Sequence, residues 1–387
     1  MLTTWTQGLD GTAMERWRSV EEELTRQLSL VEGPTTTRQE LSWCSAALDV
    51  TPRAMERLGS ARPLGEVLVT LPATLPLYST LLFGASAALP GNKVWLRPSG
   101  RNVDITRLMV EEVLTPLGLD ITVVDQRWDA FAASHPEPDG VLFTGSYDHV
   151  SALERALDTR TVLAYQGSGN CAAIVSPGAD LDDAAATIVR DRCFNSGQDC
   201  LSTERVYVHE DVLHDFEARL VHAARGLVTS SHFSEDADLH PLAHAGRFRR
   251  LRRLSIDRSE RLLVDGGEKE PDLFGLTITE SSPNSLEVLS ESYGPLLHVV
   301  AWQDERELRS MLLRGSLALG LSVWGPIPSF GTLDFAQVAI DSSLYEYEDF
   351  LAAFGGYRRS SFVRRPTRCS TGPFWVPDVL SIDEEDL

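Results

Sequence analysis

Cysteine is scarce in this chain of 387 residues: there are five, irregularly spaced, with no C-x-x-C pair. An odd, scattered set does not make a disulfide framework, and a reducing, cytoplasmic setting is expected. Positive charge is short as well. Lys and Arg number 35 against 56 Asp and Glu, a formal net charge of −21. That balance argues against a general polyanion-binding surface, so no nucleic acid partner is expected. The opening "MLTTWTQGLDGTAMERW" lacks a basic region followed by an apolar core, and no signal peptide is expected. His209, His214, His222, His232, His240 and His244 have no ligand spacing with cysteines or carboxylates, so no metal is expected. There is no internal repeat.

Charge is also missing between Glu66 and Lys93, a stretch long enough to suggest a membrane span. Pro72, Pro76 and Pro90 interrupt it, as do repeated Ser and Thr. It reads instead as a buried strand at 67–71, a Pro-bracketed turn and a buried helix near 77–88, and no membrane partner is expected.

What the chain does contain is ordinary for a globular protein: 43% hydrophobic and 24% charged residues. Its length calls for more than one domain. Residues 13–31 have helical period, with Trp17, Val20, Leu24 and Leu28 on one side. A second helix is predicted near 37–49. After it, strands and helices alternate: "GEVLVTL", the 77–88 helix, "NKVWLRP", the helix "NVDITRLMVEEVLTPLG" closed by Gly118, "DITVVD", "DGVLFTG" and the helix "HVSALERALD". The pattern resumes with "CAAIVSP", a helix with Asp180 as N-cap, "STERVYVHE", "DVLHDFEARLVHAARGL", "LHVVAWQ", "DERELRSMLLRGS" and "GLSVWG". Such alternation predicts an α/β fold with a doubly wound sheet. We expect one α/β domain over residues 1–168, a second over 169–362, a seam near 166–170, and a tail over 363–387 that is an interface or a disordered end. Its acidic "SIDEEDL" suits a solvated terminus.

The segment "CFNSGQDCLSTERVYVH" holds two of the five cysteines. Cys193 falls inside a helix beside Ala186, Ile188 and Val189, the setting of an apolar filler. Cys200 follows a Gly-Gln turn and precedes a strand. A loop there can bring a reactive group to a ligand.

The text around Cys200, "FNSGQDCLSTERVYVHEDV", resembles the catalytic-cysteine segment of the aldehyde dehydrogenase superfamily. "PLGEVLVTLPATLPL", "GNKVWLRPS", "VLFTGS", "GADLDDAA", "ESYGPLLHVV" and "AFGGYRRSSF" resemble further motifs of that family, in its order, over about residues 63–362. The resemblance implies that the first domain is Rossmann-like and binds a nicotinamide dinucleotide, and that the second carries Cys200 as nucleophile. A thiolate there would attack an aldehyde or acyl carbonyl, its pKa lowered by N–H dipoles or a positive neighbour. The Cys200 N–H would supply one oxyanion donor, and Thr74 stands where the family has a donating Asn. Gly145 and Ser146 would meet the pyrophosphate at a helix N-terminus. Glu291 matches the residue that bonds the nicotinamide ribose. Arg97 and Ser99 lie on the "RPS" segment, and Gly100 stands where a carboxylate often selects NAD. With Arg97 and Arg101 nearby and no acid, NADP(H) is favoured over NAD(H).

The chief departure is Gln166, at the position of the Glu that activates water in hydrolytic members. An amide is no general base. His149 and Glu291 are the candidate substitutes. Thr74, Gln166 and "GSGN" resemble the acylating branch, in which coenzyme A or another thiol accepts the acyl group. The favoured expectation is an oxidoreductase interconverting an acyl thioester and an aldehyde. The alternatives are a hydrolytic aldehyde dehydrogenase and a non-catalytic family member. The basic run "RFRRLRRL" at 247–254 would either meet coenzyme A or an acyl carrier protein or form a solvated face balancing nearby acids. A homo-oligomer, such as a dimer, is expected, although the region before Pro63 is shorter than the family's usual one.

Overall fold

Proline and left-handed backbone set the first layer. The strand Glu66–Thr70 buries Val67, Leu68 and Val69 completely, as a central parallel strand covered on both faces must. Leu75 then takes a left-handed φ of 51°, and Pro76, whose missing N–H costs nothing at a first helical position, opens the next helix. That helix runs over residues 76–88 with a π-helical turn at Thr80–Ala85, and its side chains are buried. The uncharged stretch is thus core. No helix among the described residues is long and apolar enough to cross a membrane.

The computed structural model describes residues 12–382. The segment before Thr12, on which the signal-peptide reading rests, and the last five residues of the acidic tail lie outside them.

Within the described residues there are two seven-stranded sheets. The first has the order Arg368–Thr371, Ser361–Arg365, Val162–Gln166, Gly140–Thr144, Glu66–Thr70, Lys93–Arg97, Ile121–Val123. Its five strands from Val162–Gln166 onward are parallel, and the helices Thr12–Leu28 and Pro34–Asp49 pack against its side. The second has the order Gln337–Ile340, Gly320–Trp324, Cys171–Val175, Thr203–His209, Leu296–Trp302, Thr277–Glu280, Arg261–Val264. The chain passes from one sheet to the other between Gln166 and Cys171. This is the α/β, two-sheet architecture the alternation predicts. Asp180 caps the helix Leu181–Cys193, accepting from the N–H groups of Asp182 and Asp183 at 3.1 Å each.

The C-terminal region differs from the sequence expectation. The cut between residues 362 and 363 falls inside the strand Ser361–Arg365, which runs antiparallel to Val162–Gln166 and pairs Ser361 with Gln166. Trp375, Val376 and Leu380 are buried in the first core, and Ser381–Ile382 pairs with Arg62–Pro63. The signal was weak because "SFVRRPTRCST" is polar and Pro-broken; the strands are fixed by pairing, not by apolar period. Thr277–Glu280 and Gln337–Ile340 also escaped the sequence reading, because four residues are too few to establish a period.

Candidate active site

The cysteine loop is built by a run of left-handed backbone. Helix Leu181–Cys193 ends, and Asn195, Ser196 and Gly197 take φ values of 47°, 57° and 75°. A Cβ on Gly197 would lie 2.4 Å from Arg192 Nη2 and 2.7 Å from Gly294 C, so only glycine fits. Ser196 Oγ accepts from His240 N (2.7 Å), and Gln198 Oε1 accepts from Ala243 N (2.7 Å). Asp199 Oδ1 accepts from Leu201 N (2.8 Å) and Tyr345 O–H (3.1 Å). These bonds present Cys200 to a cleft between the sheets.

A buried ion pair that the sequence reading missed locks this loop. Arg192, fully buried, donates to Gly197 O (2.5 Å), Gly294 O (2.7 Å) and Thr203 O (3.2 Å), and meets Glu204 at 3.2 Å. Glu204 accepts from Ser292 N (2.8 Å), Ser292 O–H (2.7 Å) and Tyr293 N (3.2 Å). One pair thus joins the cysteine loop to "ESYGP". The charged residues flanking the segment, in "RDRC" and "STER", were the available signal.

The cleft encloses about 1660 Å³, counting its open mouth, and brings together Thr74, Arg97, Ser99, Gly145, Ser146, Gln166, Cys200 and Glu291. Arg101 is the exception. Its Nη2 donates to Val31 O (2.5 Å), and its charge bears on Glu32. The Gly100–Asn102 turn sends it toward the end of the first helix, so the expectation of a second cofactor guanidinium is corrected.

Cys193 is buried in the second core, where burial pushes its thiol up to about 12. Cys200 keeps some of its surface open to the cleft. Its thiol is also raised well above the ordinary range, by burial first and then by Asp199, Cys171, Glu291 and Glu348. The positive neighbour expected for this chemistry is not among these influences. The resting group is the neutral thiol, and attack requires a base or a change on ligand binding.

The remaining positions are held as follows. Thr74 Oγ1 and Tyr293 OH lie 2.9 Å apart, so the hydroxyl at the expected oxyanion position has a phenol as partner. Gln166 Nε2 donates to Phe354 O (2.9 Å), and its amide packs against Gly355, where a Cβ would come within 2.7 Å of Oε1. Glu291 Oε1 accepts from Gly169 N (2.8 Å), and its carboxyl is raised by burial and by Glu204. His149 pairs with Ser146 Oγ (3.0 Å) at the start of helix Tyr147–Ala156. Glu348, unnoticed in the sequence, lines the cleft and accepts from Tyr78 O–H (3.0 Å); burial first, then Asp199, raises its carboxyl to about 7.

The model of the aldehyde dehydrogenase family matches residues 21–370. The chain belongs to the aldehyde dehydrogenase family. Among curated relatives, succinate-semialdehyde dehydrogenase [NADP(+)] of Mycobacterium leprae is 27% identical over 337 residues, 80% of this chain and 71% of the relative. The 2-hydroxymuconic semialdehyde dehydrogenase of a Pseudomonas species is 29% identical over 330 residues, 78% and 67% of the two chains. Solved aldehyde dehydrogenase folds superpose closely. That of Bacillus cereus gives a TM-score of 0.85 at 17% identity, covering 99% of this chain and 83% of the other. The NADP complex of glyceraldehyde-3-phosphate dehydrogenase from Methanocaldococcus jannaschii gives 0.84 at 18% identity, with 99% and 88% covered.

In this member of the family, two of the five arginines in the basic run at 247–254 are ion-paired among the described residues. The run lies on helix Ala245–Arg258, where Arg249 pairs with Glu268 and Arg252 with Asp265; Arg258, beyond the run, pairs with Glu287. Arg247 instead faces the cleft and donates to Glu291 O (3.2 Å). The seam loop is equally constrained: a Cβ on Gly169 would lie 1.7 Å from Cys200 O. Gly169→Ala is therefore expected to destabilise the protein by about 1–3 kcal/mol and to slow alkylation of Cys200. Thermal unfolding and timed iodoacetamide labelling check both effects.

Proposed function

We propose that the protein is an NADP(H)-dependent oxidoreductase in which Cys200 forms a covalent adduct with an aldehyde carbon and passes the acyl group to a thiol, interconverting an aldehyde and an acyl thioester. The observation that carries the thiol acceptor is Gln166. Its amide is tied to Phe354 O, and an amide takes no proton from water near neutral pH. In the forward direction the Cys200 sulfur adds to the carbonyl. Hydride loss from the resulting carbon leaves an acyl group on Cys200, and an incoming thiol displaces the cysteine sulfur.

A nicotinamide dinucleotide fits the residues present. Gly145, with a φ of 152°, leads into the ten-residue helix Tyr147–Ala156, whose N-terminus carries no side-chain cap and suits a pyrophosphate. Arg97, at the end of its strand, lines the same region of the cleft and suits a 2′-phosphate. When bound, the dinucleotide accepts or supplies the hydride. The M. leprae relative, named as NADP(+)-dependent, favours the phosphorylated form. Arg97→Ala is expected to raise KM for NADP+ by roughly tenfold while KM for NAD+ changes by less than about threefold; steady-state kinetics with both dinucleotides measure the split.

A second reading, hydrolysis to an acid, is favoured by Glu348. A carboxylate titrating at about 7 whose charge reaches Cys200 could draw a proton from water. Aldehyde oxidation measured with and without coenzyme A separates the two. Turnover that requires the thiol supports the first reading; acid formation at the same rate without it supports the second and overturns the first.

A further inference from the structure

Two arginines line the cleft: Arg247 donates to Glu291 O at 3.2 Å, and Arg97 donates to Gln126 O at 2.7 Å and feels the charges of Asp125 and Asp129. The carboxyls whose charge bears on Cys200 are Asp199, Glu291 and Glu348, and the charges that bear on Glu348 are those of Asp199 and Asp349. Side-chain contacts join the Cys200 region into a continuous wall. Glu348 accepts from Tyr78 O–H at 3.0 Å. The Tyr78 ring lies 5.4 Å from Trp43, Trp43 lies 6.1 Å from the stacked ring of Tyr345, and Tyr345 O–H donates to Asp199 beside Cys200 at 3.1 Å. Burial, Asp199 and Asp349 all disfavour the ionised form of Glu348, and only the Tyr78 hydroxyl favours it. The site holds a carboxylate without a cationic partner among the described residues, beside the rings of Tyr78, Trp43 and Tyr345 and near the Cys200 sulfur. A ligand cation would satisfy the carboxylate and meet the electron-rich ring faces at once.

We propose that this half of the cleft selects aldehydes bearing an ammonium group, held by Glu348 and the wall of Trp43, Tyr78 and Tyr345 with the carbonyl directed to Cys200. The inference rests on Cys200 being the aldehyde site. It separates this protein from the M. leprae and Pseudomonas relatives, named for semialdehydes: an anionic substrate tail here would meet like charge. An ammonium paired with Glu348 also keeps that carboxylate from serving as a base, in accord with a thiol acceptor.

The test uses unreactive probes, so it does not depend on turnover. Calorimetry at pH 8 with n-butylammonium, 1-butanol and butanoate should show the ammonium binding at least about tenfold more tightly than the alcohol, and butanoate most weakly. Glu348→Gln should bring the ammonium-to-alcohol ratio close to one, whereas Glu346→Gln, an exposed neighbour outside the lining, should keep it. Tyr345→Leu, which removes an aromatic face and no charge, should lower the ratio and serves if Glu348→Gln fails to fold. Butylammonium should also protect Cys200 from iodoacetamide. Equal affinities for the probes, no ammonium binding, or ammonium binding without protection of Cys200 would overturn the proposal and leave the nucleophile assignment standing. Full turnover by Cys200→Ser would overturn that assignment instead.

Discussion

Cys200→Ser is expected to lower kcat by about a thousandfold or more, with folding intact. Serine keeps the shape of the side chain but is a far weaker nucleophile, and the nearby carboxyls Asp199, Glu291 and Glu348, even raised by burial, are bases too weak to ionise a hydroxyl near neutral pH. Cys193→Ser is the control. That side chain packs in the second core against apolar neighbours and does not line the cleft, so its loss should change stability modestly and kcat by less than about twofold. The pH profile is a second readout. Burial and four neighbouring groups raise the Cys200 thiol, so its thiolate is scarce at neutral pH and grows as pH rises. Alkylation of Cys200 in the free protein should therefore accelerate steadily from pH 7 to pH 9. A flat profile would mean that the sulfur is already ionised and would contradict the electrostatics described above.

Arg192→Met is expected to destabilise the protein by about 3–5 kcal/mol. The guanidinium is fully buried, and its removal leaves Glu204 as an unpaired buried charge and strips partners from the carbonyls of Gly197, Gly294 and Thr203. Replacing both partners, Arg192→Met with Glu204→Met, should recover some of the loss, because the penalty comes from the orphaned charge more than from the missing attraction. Denaturant unfolding of the two single variants and the double variant measures the coupling. The single variant should also loosen the cysteine loop and the 291–294 turn together, since the pair ties both. A single variant within about 1 kcal/mol of the parent would contradict this account of the loop.

Much of the site was legible because its chemistry is written in local motifs. Cys200 after a Gly-Gln turn, Gly145-Ser146 at a strand-to-helix junction and Gln166 at the seam are short-range signals, and the fold brings all of them to one cleft. Arg101 misled because a 3-10 turn of three residues decides its direction, and no periodicity reports that. Glu348 was invisible for a different reason. It lies in "LYEYEDF", an acidic stretch that reads as surface, and only its hydrogen bond from Tyr78 O–H in the folded chain shows its carboxylate facing inward. Arg192 and Glu204 looked like ordinary helix and strand charges, yet burial makes them a structural lock. The C-terminal strands failed for want of an apolar alternation; antiparallel pairing with Val162–Gln166 holds them.

In the reaction proposed above, one sulfur carries the acyl group between aldehyde and acceptor. Mixing the protein with an aldehyde and NADP+ in the absence of any thiol, quenching in acid and measuring intact and peptide masses tests it directly. An acyl group on the peptide containing Cys200 and about one NADPH formed per chain are expected. Sustained turnover with Cys200 unmodified, or an acyl group found on another residue, would contradict it.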